Sequence, residues 1–446
     1  MKYLDLRGHK LSLATLFLVV FPSLFNLGYN QGVFGGVITL PSFIGTFPLL
    51  DVVNTTGAQK HFNAKIQGLV AALYTLGGMF GALSVICVGD IFGRKKTIFV
   101  SHSVQIIGSL LMGTSFCLSQ LIISRLVLGF GTGASLATVP VWHAECCNSV
   151  KRGSLVVSEG TFIGIGLSSA LWIEFGLYFT PGNSSVAWRA PFLFQIIVAV
   201  VVLIFISLLP ESPRWLAKKH RIEEAQNILA LFYDTEPHSE IVLNDIAFIQ
   251  ASLEMTSHGS FKDLFKMGES RNLNRMAIIT SMQILGQLSG INIVAFYATG
   301  IFQIMLGYSA ISSRILAASF QLTFVTGGLV ASYLVDKVGR RRLLIFSATG
   351  NAVSLAIIVA TASFPENHYA VQVGGAFVYF YGFAYASGFL GVPLLYATEI
   401  ATPKLRAAMN GVSIGMSFAF NFVVVMITVC TILVVYIYIL FFIFFS

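Results

Sequence analysis

Carboxylates and arginines in this chain are arranged in pairs that repeat half a chain apart. Gly89-Asp90-Ile91-Phe92-Gly93-Arg94-Lys95 recurs as Val335-Asp336-Lys337-Val338-Gly339-Arg340-Arg341, and Glu145 with Arg152 recurs as Glu399 with Arg406. Asp90 and Asp336 are 246 residues apart, and the glutamate and arginine copies are each 254 apart. No catalytic constellation accompanies them and no cofactor or metal site is read, so an enzyme is not expected. Their chemistry is the making and breaking of ion pairs. The near-constant offset marks an internal duplication.

The elements that must position these groups are membrane helices. Hydrophobic residues make up 56% of the 446 and charged residues only 10%, against about 25% charged in soluble chains. Apolar stretches long enough to cross roughly 30 Å of hydrocarbon recur along the chain. They place spans at 12–36, 66–88, 97–117, 118–141, 154–178, 190–209, 276–306, 312–334, 343–363, 371–397 and 410–432. Lipid offers no partner for backbone polar groups, so these stretches read as helices. The expectation is an all-α polytopic membrane protein with a six-helix bundle over 1–209 and a polar linker over 210–275, with helical segments around 222–233 and 240–256. A second, incomplete bundle follows over 276–446. Duplicated halves of this kind are the build of a class of secondary transporters.

Lysine and arginine sort sharply between the loops. With the N-terminus inside, the segments 1–11, 89–96, 142–153, 210–275, 335–342 and 398–409 hold 22 of the 27. This asymmetry follows the positive-inside rule and makes the linker cytoplasmic. The net charge of +8 is then a topology signal, and no basic face for nucleic acid is visible. Two sequons, at Asn54 and Asn183, fall in the expected outside loops, where glycosylation would occur. The five cysteines give no convincing outside pair and read as free thiols.

At the inner face, Gly93 and Gly339 allow a tight turn beside Asp90, Arg94, Asp336 and Arg340. Orientation signals alone would explain one copy, whereas two favour a gate. The expectation is that these groups, with Glu145, Arg152, Glu399 and Arg406, form inter-helix ion pairs that join the halves when the inner side is shut.

These residues resemble the sugar porters of the major facilitator superfamily. The resemblance runs to about residue 428 and rests on Gly28-Tyr29-Asn30-Gln31-Gly32, on Arg125 to Gly133 and on Pro140-Val141-Trp142-His143-Ala144-Glu145. It includes Pro210-Glu211-Ser212-Pro213-Arg214-Trp215-Leu216, which adds Glu211 and Arg214 to the implied gate, and Gln287-Leu288-Ser289-Gly290-Ile291-Asn292. In style it is similar to the fungal branch with hexose and polyol transporters. Proton-coupled members carry Asp at the position of Asn30, and the resemblance implies that it pairs with Arg125. Asparagine has no titratable proton, which favours facilitated diffusion over symport. Glu159 and Glu174 keep symport open.

Gln283 and Gln287, four apart, share a helix face, and Asn292 follows after Ser289-Gly290, which loosens the helix. Amides both donate and accept, as a sugar hydroxyl requires. Tyr297, with Phe296, suits the apolar face of a pyranose, and Asn421 matches a polar family position. Helix–helix hydrogen bonding is the alternative for these amides. Gly160 and Gly286 stand where many hexose porters have Gln, which implies a pocket less polar and locally wider. Gly77, Gly81, Gly129 and Gly133 read as close-packing positions. The apolar run from 410 to Ser446 is too long for one span and lacks a turn for two, so a truncated product is expected.

The function expected is transport of a sugar or polyol by a monomer in the lipid bilayer of the plasma membrane, by facilitated diffusion. Proton symport, a non-transporting nutrient sensor and an inactive truncated product are the alternatives.

Overall fold

The computed structural model describes residues 6–146, 152–180, 184–254, 267, 271–305, 308–364, 367–402 and 405–430. The side chains of Asp90, Arg152, Tyr297 and Arg406, and all of Asn183, lie outside the described residues.

The first span is α1 (Gly8–Thr15), a π-helical turn (Leu16–Val20) and α2 (Phe21–Val37). A short α3 (Pro41–Thr46) precedes α4 (Gly57–Phe92), followed by α5 (Arg94–Gly113), α6 (Leu118–Cys146), α7 (Arg152–Tyr178) and α8 (Val186–Leu208). The linker holds α9 (Pro213–Lys218), α10 (Ile222–Tyr233) and α11 (Glu240–Glu254). Beyond it come α12 (Asn272–Leu288), α13 (Ile291–Gly300), α14 (Ala310–Val338), α15 (Arg340–Ala362), α16 (His368–Ala386), α17 (Val392–Ile400) and α18 (Arg406–Cys430).

Eight helical segments among the described residues are long and apolar enough to cross a membrane. The other three expected spans fall on α5, α12–α13 and α16–α17. Helix α5 is less apolar because it turns Thr97, Ser101, His102, Gln105 and Ser109 into the bundle. The other two spans are broken. Gly290 takes φ 84° between α12 and α13, at the loosening expected from Ser289-Gly290. The break between α16 and α17 was not expected from the sequence. There Gly388 and Gly391 carry no side chain and Pro393 opens α17 without an N–H to donate. Such breaks in a membrane are tolerated where neighbouring helices satisfy the freed groups.

Glycines set the closest approaches. A Cβ at Gly129 would lie 2.0 Å from the carbonyl oxygen of Tyr74, and one at Gly133 would lie 2.0 Å from that of Gly78. Backbones of α4 and α6 therefore touch, as their small residues imply. The two halves meet where α7 packs on α14, α4 on α18 and α2 on α13. On the linker, α10 buries Ala225, Ile228, Leu229 and Phe232 and packs against α1, α9 and α11. Cys87, Cys117 and Cys146 are free thiols.

Candidate functional site

The two repeated turns are built alike. Gly93 has φ 89° and ψ 171° between α4 and α5, and Gly339 has φ 91° and ψ 155° between α14 and α15. This backbone region belongs almost to glycine alone. It swings the next residue, Arg94 or Arg340, back over the end of the preceding helix.

Arg94 forms a two-pronged pair with Glu145 of α6, Nε to Oε2 at 3.1 Å and Nη2 to Oε1 at 3.3 Å, while Nη1 donates to the Gly89 carbonyl at 3.3 Å. Ser212 Oγ donates to Glu145 at 2.5 Å and caps α9 by accepting from the Trp215 N–H. Glu211 accepts from the backbone N–H groups of Lys95, at 3.1 and 3.2 Å, and Ser212, at 2.9 Å. Burial nonetheless holds the Glu211 carboxyl above the usual carboxylate range. Trp142 Nε1 donates to the Pro210 carbonyl. The start of the linker is thus fastened to the first half.

In the second half Arg340 Nη2 pairs with Glu399 at 2.8 Å and with Asp336 at 3.2 Å, and Nη1 donates to the Val335 carbonyl at 3.3 Å. The first pair is nearly dry, with side chains 11% and 10% exposed; the second is wet, at 27% for Arg340 and 41% for Glu399. Neither pair joins the halves. The glycine turn aims each arginine at the glutamate of its own bundle; the ion pairs expected to join the halves when the inner side is shut also involve Asp90, Arg152 and Arg406, whose side chains lie outside the described residues. Arg214 donates to Ser252 and so ties α9 to α11.

Deeper in the bundle, Arg125 is fully buried. It donates from Nη2 to the Ala71 carbonyl at 3.2 Å and from Nε to that of Val70 at 3.4 Å, and it lies over the rings of Phe34 and Tyr74 at 4.6 and 4.8 Å. Asn30 is also fully buried, and neither of its amide atoms has a hydrogen-bond partner. His143 Nδ1 of α6 lies 3.3 Å from Glu159 Oε1 of α7, both shielded from solvent.

The broken seventh span brings its amides together. Asn292 of α13 donates to Gln287 Oε1 across the break, and Gln287 Nε2 donates to Ser417 of α18 at 2.8 Å. Gln283 lies one turn before Gln287, and Asn421, its Oδ1 without a hydrogen-bond partner, one turn beyond Ser417. Tyr381 of α16 donates to the Ser289 carbonyl at 2.5 Å and braces the break. Ser417 and Tyr381 were missed in the sequence, where a serine or tyrosine in a long apolar helix carries no distinguishing pattern. The expected widening is half right. A Cβ at Gly286 would meet nothing nearer than Phe389 at 3.7 Å, but one at Gly160 would meet Gly391 and Leu390 at 3.3 Å. The room at Gly160 is filled by the approach of the α16–α17 break.

Asn54 is exposed in the loop before α4, where its backbone N–H donates to Asp51 Oδ1 at 2.9 Å.

A family model described as sugar (and other) transporter matches residues 15–446. The chain is 35% identical over 406 residues to the sugar transporter STL1 of Saccharomyces cerevisiae, covering 89% of this chain and 70% of that protein. It is 33% identical over 431 residues to the major facilitator superfamily transporter mfsA of Aspergillus fumigatus, covering 94% and 78%. Among solved structures it is similar to the proton:xylose symporter XylE bound to 6-bromo-6-deoxy-D-glucose, with TM-score 0.79 over 93% of this chain and 87% of that one at 22% identity. A partially occluded inward-open form of the xylose transporter XylE from E. coli gives TM-score 0.76 over 96% of both chains at 19% identity. At these identities the structural likeness speaks for the fold.

Proposed function

The chain belongs to the sugar transporter family of the major facilitator type, and from that premise we propose that it carries a sugar or polyol by alternating access, without proton coupling. It is a multi-pass membrane transporter and not an enzyme.

The observation that supports the substrate reading is the Asn292–Gln287–Ser417 chain across the break of the seventh span. These groups now satisfy one another, yet each amide offers a donor and an acceptor that a hydroxyl-rich ligand can take over. Gln283 and Asn421 flank the chain, and Tyr297 sits on α13 just beyond it. Bending at Gly290 brings α13 over a ligand held by α12 and α18. The linker-end clusters, Asp90, Arg94, Glu145, Arg152, Glu211 and Arg214 with Asp336, Arg340, Glu399 and Arg406, act as the gate by fixing loops that close against each other. The distribution of lysine and arginine supports a cytoplasmic linker end, in a monomer at the plasma membrane.

Uncoupled transport is supported by Asn30, whose amide has no proton to exchange, and by Arg125, whose charge is met by carbonyl oxygens and aromatic faces. Symport is the second reading, favoured by the buried His143–Glu159 pair, which can hold a proton inside the bundle.

Uptake of radiolabelled sugars and polyols into transporter-null cells tests both. Saturable uptake unchanged by a protonophore is expected. No saturable uptake of any sugar or polyol overturns the substrate reading, and collapse with the protonophore selects symport.

A further inference from the structure

At the end of the bundle away from the linker, the charged side chain of Arg314 crosses between the halves. Arg314 belongs to the second half, in the first turns of α14. Its Nη1 donates to the Gly36 carbonyl of α2 at 3.3 Å and its Nη2 to Thr39 Oγ1 at 2.7 Å. The guanidinium lies over the Tyr178 ring of α7, 4.4 Å from its centre. All three partners are in the first half, and Arg314 is only 6% exposed.

One turn back from Tyr178 on α7 is Glu174, 2% exposed, with neither carboxylate oxygen hydrogen-bonded. Its carboxylate fills the room that Gly36 leaves: a Cβ at Gly36 would fall 1.8 Å from Oε2. A buried carboxylate without hydrogen bonds is costly in lipid and persists where an opposite charge compensates it. Arg314 is that charge. The two groups converge on Gly36: Arg314 Nη1 bonds its carbonyl while the Glu174 carboxylate fills its side-chain space, with no direct ion pair between them. Tyr29 on α2 is a further titratable neighbour of Glu174, and Tyr178 lies one turn on along its own helix.

The two ends of the molecule therefore differ. Arg94–Glu145 and Arg340–Glu399 close inside their own halves, whereas Arg314 and Glu174 lie on opposite sides of the boundary. Separating α14 from α2 and α7 would take the hydrogen bonds and the ring contact from Arg314. The same movement would strip Glu174 of its counter-charge.

We propose that Arg314 and Glu174 are positioning residues that latch the two halves together at the end opposite the linker, and so set how often that end opens. This rests on the transporter reading. It extends that reading from substrate contacts to the balance between closed and open states, which the attraction of two buried opposite charges biases toward closure.

Distances between spin labels measure that balance directly. Labels at Val53 and Tyr369, both exposed at this end of different halves, are introduced into the full chain with its native cysteines replaced, and read by pulsed dipolar spectroscopy in lipid nanodiscs without ligand. Arg314→Gln and Glu174→Gln are each expected to raise the ratio of long to short distances at least fivefold, while Arg314→Lys stays nearer the parent. The double variant should be no more open than Arg314→Gln, because either substitution removes the same attraction. Thr39→Val, which keeps both charges, should shift the ratio less and serves if a charge variant does not fold. Unchanged distributions in the single variants, or shifts that multiply in the double variant, overturn the latch. Since no transport is measured, loss of the latch is distinguishable from loss of the substrate reading, which uptake alone decides.

Discussion

Arg94 and Arg340 hold equivalent posts in the two halves. Each donates Nη1 to the carbonyl five residues earlier, at 3.3 Å in both, and each reaches a glutamate on the neighbouring helix of its own bundle. What separates them is water.

Because the Arg94–Glu145 pair is nearly dry, Arg94→Gln leaves a buried carboxylate uncompensated and should cost about 3 kcal/mol or more. Arg340→Gln, at an exposed pair, should cost about 1 kcal/mol or less. Thermal unfolding of the two purified variants in the same detergent checks the order, and equal losses would contradict it.

Gly93 and Gly339 share a backbone conformation but not surroundings. Gly339→Ala meets nothing within 4 Å and should cost only backbone strain, about 1–3 kcal/mol. Gly93→Ala adds a Cβ 2.7 Å from Glu211 Oε2 and 3.1 Å from the Trp215 ring, so it should be the more damaging. Fluorescence size-exclusion profiles after heating compare them.

Gln287 is the joint of the amide chain. Gln287→Ala should raise the KM for the transported sugar or polyol about five- to thirtyfold, the worth of one or two hydrogen bonds at about 1 kcal/mol each. Ser417→Ala, which removes a single partner, should raise it less. Concentration-dependent uptake measures both, and a Gln287→Ala variant with the parent KM would remove this residue from the binding site.

The loop bearing Asn54 lies at the end away from the linker. If the linker is cytoplasmic, the protein expressed in a eukaryotic cell should lose apparent mass on treatment with an N-glycosidase, and Asn54→Gln should reduce that change. Protection of the loop from an external protease would instead place it inside.

Much of the architecture could be read from residue order because lipid leaves helices little choice. The glycines at 77, 81, 129 and 133 announced a close helix pair, and that is where α4 and α6 touch. Partner choice was less legible. Glu145 and Arg152 are seven apart in sequence, yet Glu145 pairs with Arg94, 51 residues earlier, because the positive φ of Gly93 redirects the chain. The space at Gly160 was misjudged for a related reason: its neighbour is the α16–α17 break, more than 200 residues away. Nothing local to Arg314 reveals that its side chain ends in the other half.

Among the described residues, the two broken spans lie in the second half, while the linker is fastened to the first through Glu145, Glu211 and Trp142. The molecule is therefore mechanically lopsided. One side carries the linker helices; the other is interrupted at Gly290 and between Ser387 and Gly391. Under the transport reading proposed above, bending at those two joints would enclose a ligand while leaving the helices of the first half in place.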